Sequence, residues 1–243
     1  MLVCSQYKRK KENVLSLFNS TYFNKGYPQK LLIFLHGYNG SPEDTDYAVQ
    51  WLKKYLENTV VVVPRAPFKC EKNPANLQWL SFYEQDPDAR FRHPEASVDE
   101  IFDIFNRLGD SFACVAQQIN DFIDEQQLKF SISDQNTYLM GFSQGAMLSV
   151  YTSLTRKHKL AGCISVAGII PGKDRLAKEI VSKPQFLLLH GKSDSTVQYK
   201  TLPHTLAWLK KQQIPFEHYE FEDLAHRMSE DEMKKAAEFV NQR

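Results

Sequence analysis

The sequence predicts an α/β protein with a mostly parallel central sheet and helices on both faces. Three observations predict it. Short, continuously apolar runs recur along the chain, the mark of strands buried on both sides. Segments with helical spacing fall between them, as crossovers between parallel strands require. Three of the runs end in polar turns, His36-Gly37, Gly141-Phe142-Ser143 and His190-Gly191, and open sheets of this kind hold ligands beyond the carboxyl ends of their strands.

Leu31-Leu32-Ile33-Phe34-Leu35 is the first such run, and Val60-Val61-Val62-Val63, stopped by Pro64, is the second. Between them Ser41-Pro42-Glu43-Asp44 opens a helix expected to reach about Glu57, with Ser41 as cap, Pro42 in the first turn and Asp44 reaching back. Residues from about 65 to 110 read as an irregular excursion carrying four prolines and several aromatic side chains, among them Trp79 and Phe82. A stretch that long is commonly functional, and its aromatics suit a pocket for an apolar group. The spacing of Val115, Ile119, Phe122 and Ile123 is helical over Ser111 to about Gln127. Strands follow at Thr137–Met140, Gly162–Val166, Gln185–Leu189 and Phe216–Phe221, with helices from Gln144 to about Arg156 and from Tyr199 to Lys211. Ser229-Glu230-Asp231-Glu232 is a capping box for the last helix.

Length and composition bound the answer. The chain has 243 residues, 42% of them hydrophobic, enough for one large core, so a single domain over residues 1–243 is expected. With 30 Lys+Arg against 29 Asp+Glu, no net field draws nucleic acid or an anionic membrane. The basic run Lys8-Arg9-Lys10-Lys11 reads as a solvated start. Cys4, Cys70, Cys114 and Cys163 are scattered without metal-ligand spacing, which argues against a zinc site and for free, mostly packed thiols. Only three residues precede Cys4, too few for a lipoprotein signal, and no apolar run is long enough to span a membrane. The expectation is a soluble, cytoplasmic protein.

Gly141-Phe142-Ser143-Gln144-Gly145 matches G-x-S-x-G. Alone the pattern turns up by chance in roughly one chain in ten of this size, but here it directly follows a buried strand and directly opens a helix, as its mechanics require. A tight strand-to-helix turn leaves no room for side chains at Gly141 and Gly145. It projects the Ser143 hydroxyl off the sheet, beside the free N–H groups of a helix N-terminus. A serine hydroxyl needs a base. Of the histidines that follow, His158 lies in a Lys-rich helix end, His190 in a strand-end turn, His204 in mid-helix and His218 within the last strand. His226 alone occupies the loop between the last strand and the last helix, where it can reach the serine. The acid comes from a loop after an intervening strand, and Asp194 meets that condition; Asp223, on the same loop as His226, is its rival, and Asp174 a weaker one. Backbone N–H groups of Gln144 and of Tyr38, with Asn39 as the alternative to Tyr38, are the candidates for stabilising the oxyanion.

These residues resemble the phospholipase/carboxylesterase family that includes the acyl-protein thioesterases. The matching pieces are Phe34-Leu35-His36-Gly37, Val63-Pro64-Arg65-Ala66-Pro67, Gln78-Trp79, Gly141-Phe142-Ser143-Gln144-Gly145-Ala146, His190-Gly191-Lys192-Ser193-Asp194 and Ala225-His226. The resemblance implies the α/β-hydrolase fold, cleavage of small-molecule esters or thioesters without metal or organic cofactor, and, as in some members, a homodimer. It maps nucleophile, acid and base onto Ser143, Asp194 and His226, and the oxyanion donors onto Tyr38 and Gln144. The chain departs from the family pattern in having Tyr38 where Leu is common, Ala146 where a second glycine is common, and Lys192 where Asp is frequent.

Three readings follow. The first is an esterase or thioesterase working through an acyl-enzyme on Ser143, with serine peptidase or lipase activity as its variant. The second is a non-catalytic member that uses the same pocket to bind a ligand or partner. A dinucleotide enzyme lacks the G-x-G-x-x-G that would support it.

Overall fold

A computed structural model of the chain describes residues 19–23 and 27–242. The basic run at 8–11 and Cys4 lie outside the described residues. Nine strands and seven α-helices are described, in the order β1 (Asn19–Phe23), β2 (Lys30–Leu35), α1 (Asp46–Tyr55), β3 (Thr59–Pro64), β4 (Phe68–Lys69), β5 (Leu77–Gln78), α2 (Val98–Arg107), α3 (Gly109–Phe130), β6 (Thr137–Phe142), α4 (Gln144–Thr155), β7 (Gly162–Val166), α5 (Lys173–Glu179), β8 (Gln185–Gly191), α6 (Leu202–Lys211), β9 (Phe216–Phe221) and α7 (Glu230–Asn241).

Seven strands form one sheet in the order β1-β3-β2-β6-β7-β8-β9. All neighbours are parallel except β1, which runs antiparallel to β3 along one edge. Strand alternation divides the core in two. Leu31, Ile33, Leu35, Val60 and Val62 face one side, with residues of α2, α3, α4, α5 and α6. Leu32, Phe34, Val61 and Val63 face the other, with α1 and α7. Residues 31–35 and 60–63 are at most 1% exposed, and each such side chain contributes roughly 1.5–3 kcal/mol by leaving water. That two-sided burial is why these strands read as unbroken apolar runs. Among the described residues no helix is long and apolar enough to cross a membrane.

Several expectations are corrected. The stretch from 65 to 110 is not irregular throughout: it holds the small β4–β5 pair and all of α2, whose Ser97 and Glu100 form a reciprocal capping box. The helix expected from Ser41 begins instead as a short 3-10 turn, Glu43–Thr45, and becomes α-helical at Asp46. Ser41 Oγ donates to the Asp44 carboxylate, so neither side chain caps a backbone group. The edge strand β1 and the short helix α5 were not anticipated. Cys70 and Cys163 are buried free thiols, but Cys114 is disulfide-bonded, against the expectation of free thiols.

Candidate active site

The turn from β6 into α4 is built by steric exclusion. A Cβ on Gly141 would lie 2.2 Å from the Gly145 carbonyl, and one on Gly145 would lie 2.1 Å from Leu35 O. The two glycines let α4 press against the ends of β6 and β2. Ser143, between them, is held at φ 55°, ψ −117°, a conformation that L-residues avoid and that persists only where the surroundings enforce it. Its N–H donates to Val166 O, tying the turn to β7.

Three remote segments meet here. His226 Nε2 lies 3.0 Å from Ser143 Oγ, and His226 Nδ1 lies 2.7 Å from Asp194 Oδ2. Asp194 is buried and its other oxygen accepts from the N–H groups of Thr196 and Val197 at 2.8 and 3.0 Å. Burial pushes its carboxyl pKa up, but the His190 and His226 partners outweigh that and hold it at about 2. Asp194 is therefore a fixed anion at neutral pH, and its hydrogen bond orients the His226 ring. The rivals point elsewhere. Asp223 is exposed, and Asp174 accepts from Asn106. His158 and His218 are exposed as well.

Two further buried ionisable residues stand in this region: one lies against Asp194, and the other caps α7 as its capping box predicts. His190, 1% exposed, donates from Nε2 to Val197 O and lies 3.5 Å from Asp194 Oδ2. Its signal was the strand-end His-Gly pair, read only as a turn. Glu232, fully buried, is the α7 capping-box residue, and burial raises its carboxyl to about 7.

Among the described residues the amides of Tyr38, Asn39 and Gln144 have no backbone acceptor outside helices and strands. Gln144 opens α4, where the first amides of a helix have no intrahelical partner. Gly37 sits against the elbow: a Cβ there would lie 3.4 Å from Ser143 Cβ, which brings the Tyr38 turn to the serine. The Gln144 side chain is fully buried and clamps the excursion: its Oε1 accepts from Trp79 N–H at 2.9 Å and its Nε2 donates to Leu80 O at 2.9 Å. Trp79 donates its indole N–H to His36 O. His36 is a buried neutral ring. Its Nδ1 donates to Gly37 O and its Nε2 accepts from Ala66 N–H, and burial lowers its pKa to about 4. A cavity of about 260 Å³ adjoins the triad, lined by Gly37, Tyr38, Asn39, Phe142, His226 and Arg227 among others. Trp79 and Phe82, expected to line a substrate pocket, do not border this cavity. They are 0% and 2% exposed, and Phe82 packs against Tyr38, Phe91 and Phe105.

A strained serine between a parallel strand and a helix, with its histidine and carboxylate arriving from later strand ends, is the arrangement of an α/β-hydrolase. The chain belongs to the phospholipase/carboxylesterase family, whose model matches residues 21–243. It is similar to acyl-protein thioesterase 1 of Candida albicans, with 25% identity over 86% of this chain and 90% of the relative. It is also similar to the carboxylesterase SOBER1 of Arabidopsis thaliana, with 22% identity over 87% and 90%. Among solved structures, that of esterase PE8 matches with a TM-score of 0.77 and 24% identity, over 92% of this chain and 97% of the other.

Proposed function

We propose that this protein hydrolyses carboxylic esters or thioesters in two steps through an acyl-enzyme on Ser143. The observation that carries the reading is the hydrogen-bonded row Ser143–His226–Asp194, with Ser143 forced into its strained turn. Ser143 Oγ attacks the acyl carbonyl while His226 Nε2 takes its proton, and the Asp194 anion stabilises the imidazolium that results. Negative charge on the carbonyl oxygen is met by the amides of Gln144 and Tyr38, at the positive end of α4. His226 returns the proton to the departing alcohol or thiol. The same ring then activates water, which releases the acid and restores the hydroxyl. Family membership and the named thioesterase and carboxylesterase relatives support this choice of bond. The chain is read as one catalytic domain acting in the cytoplasm on small-molecule substrates.

A fluorophosphonate probe is expected to label Ser143 stoichiometrically. Ser143→Ala should abolish both labelling and p-nitrophenyl butyrate turnover, a loss on the order of 10⁴-fold or more, with an unchanged circular dichroism spectrum. A folded wild-type protein that resists the probe would favour a non-catalytic ligand-binding role.

A further inference from the structure

We propose that Arg92 makes this a hydrolase for acyl groups that carry a negative charge, such as the half-esters and half-thioesters of dicarboxylic acids. The inference rests on the reading of Ser143 as nucleophile and names the acyl group it works on.

Arg92 stands out by what it lacks. Its Nε is buried with no hydrogen-bond partner, and among the described residues no carboxylate forms an ion pair with it. A buried donor left unmade is costly, and each instance in a folded protein calls for an explanation. Nearby carboxylates are engaged. Glu71 accepts from the Tyr38 hydroxyl and the Phe82 amide, Asp86 from the Phe91 amide, and Glu100 from Arg90 and Ser97. The guanidinium lies instead over two rings, with Cζ 5.4 Å from the Tyr38 centroid and 5.1 Å from that of Phe91. Aromatic faces hold a cation in place without neutralising it.

The position is fixed from two loops of the site. Gln198 Nε2 donates to the carbonyls of Phe91 and His93, on either side of Arg92. Gln198 follows Asp194 on the same loop, and Tyr38 follows Gly37, which touches the elbow. Arg92 is thereby strapped between the loop of the acid and the loop of the oxyanion donor. His226 and Tyr38 both line the cavity beside Ser143, and the guanidinium lies over the Tyr38 ring, so an acyl chain that runs along Tyr38 carries its far end toward Arg92.

The test compares p-nitrophenyl hydrogen adipate with p-nitrophenyl hexanoate, the same acyl length with and without a terminal carboxylate, with rates corrected for spontaneous hydrolysis. Wild-type protein should favour the adipate half-ester by about tenfold or more in kcat/KM, the range of one charge-assisted hydrogen bond. Arg92→Gln should lose that preference while hexanoate turnover stays within about twofold. Arg92→Lys should retain part of it, and Arg92→Glu should shift preference to a 6-aminohexanoate ester. No preference in the wild type, or an equal fall on both esters in Arg92→Gln, overturns the proposal. A binding arm stands apart from turnover: calorimetric titration of adipate into Ser143→Ala should show affinity that Arg92→Gln, added to that variant, weakens at least tenfold. Absence of all ester turnover would defeat the hydrolase reading alone; absence of adipate binding in the calorimeter would defeat this one.

Discussion

The elbow at Gly141–Gly145 and the excursion at 65–108 both serve the serine, yet they are held by opposite means. The elbow is enforced by its immediate neighbours: two glycines whose missing side chains admit backbone contacts no larger residue could. The excursion is enforced from afar, by polar side chains of other segments reaching into it. Gln144 binds Trp79 and Leu80, His36 binds Ala66 and receives Trp79, and Gln198 binds Phe91 and His93. Local sterics make the elbow rigid at once, whereas the excursion is held by its own buried apolar side chains together with a small number of buried hydrogen bonds, each sensitive to one atom.

The largest effect is expected where no relaxation is available. Gly145→Ala would place a methyl group 2.1 Å from Leu35 O, and should destabilise the protein by about 4 kcal/mol or more, read as a collapse of the urea midpoint. Acidification should separate the two regions. His36 has its pKa lowered from 6.5 to about 4 by burial, so its contribution is present above pH 6.5 and is lost as pH falls through about 4. The protonated ring cannot accept from Ala66. About 3 kcal/mol is at stake, at 1.36 kcal/mol per pH unit. Hydrogen exchange should show residues 66–93 losing protection on acidification before residues 137–150; simultaneous loss would erase the distinction drawn above. Smaller still is Gln144→Ala, which strands the Trp79 amide and the Leu80 carbonyl and should cost about 2 kcal/mol. Limited proteolysis should then cut within 65–108 and leave the elbow intact.

The same contrast explains what could be read from the sequence. The strand before Ser143, the motif and the helix after it occupy consecutive residues, so pattern and sterics sufficed. His226 and Asp194 were legible because chain order and strand ends restrict where a base and an acid can stand. The clamp from Gln144 to Trp79 joins residues 65 positions apart, and no periodicity announces such a bond. Helix α2 was overlooked although Ser97-x-x-Glu100 precedes Ile101, Phe102, Ile104 and Phe105; four prolines nearby suggested a loop, and the capping box outweighed them. Trp79 looked like pocket lining because aromatic composition cannot separate a ring facing a ligand from one donating to His36 O. Arg92 was invisible for a related reason, since a lone arginine acquires meaning only from the carboxylates it does not meet.

The end of β8 and the loop after β9 are packed main chain to main chain. A Cβ on Gly191 would sit 2.0 Å from Leu224 O, the same carbonyl accepts from Ser193 N–H, and Lys192 N–H reaches Phe221 O. Acid and base thus ride on one welded platform, and neither can drift without carrying the other. In the proposed hydrolysis the imidazole therefore meets each incoming substrate already aimed.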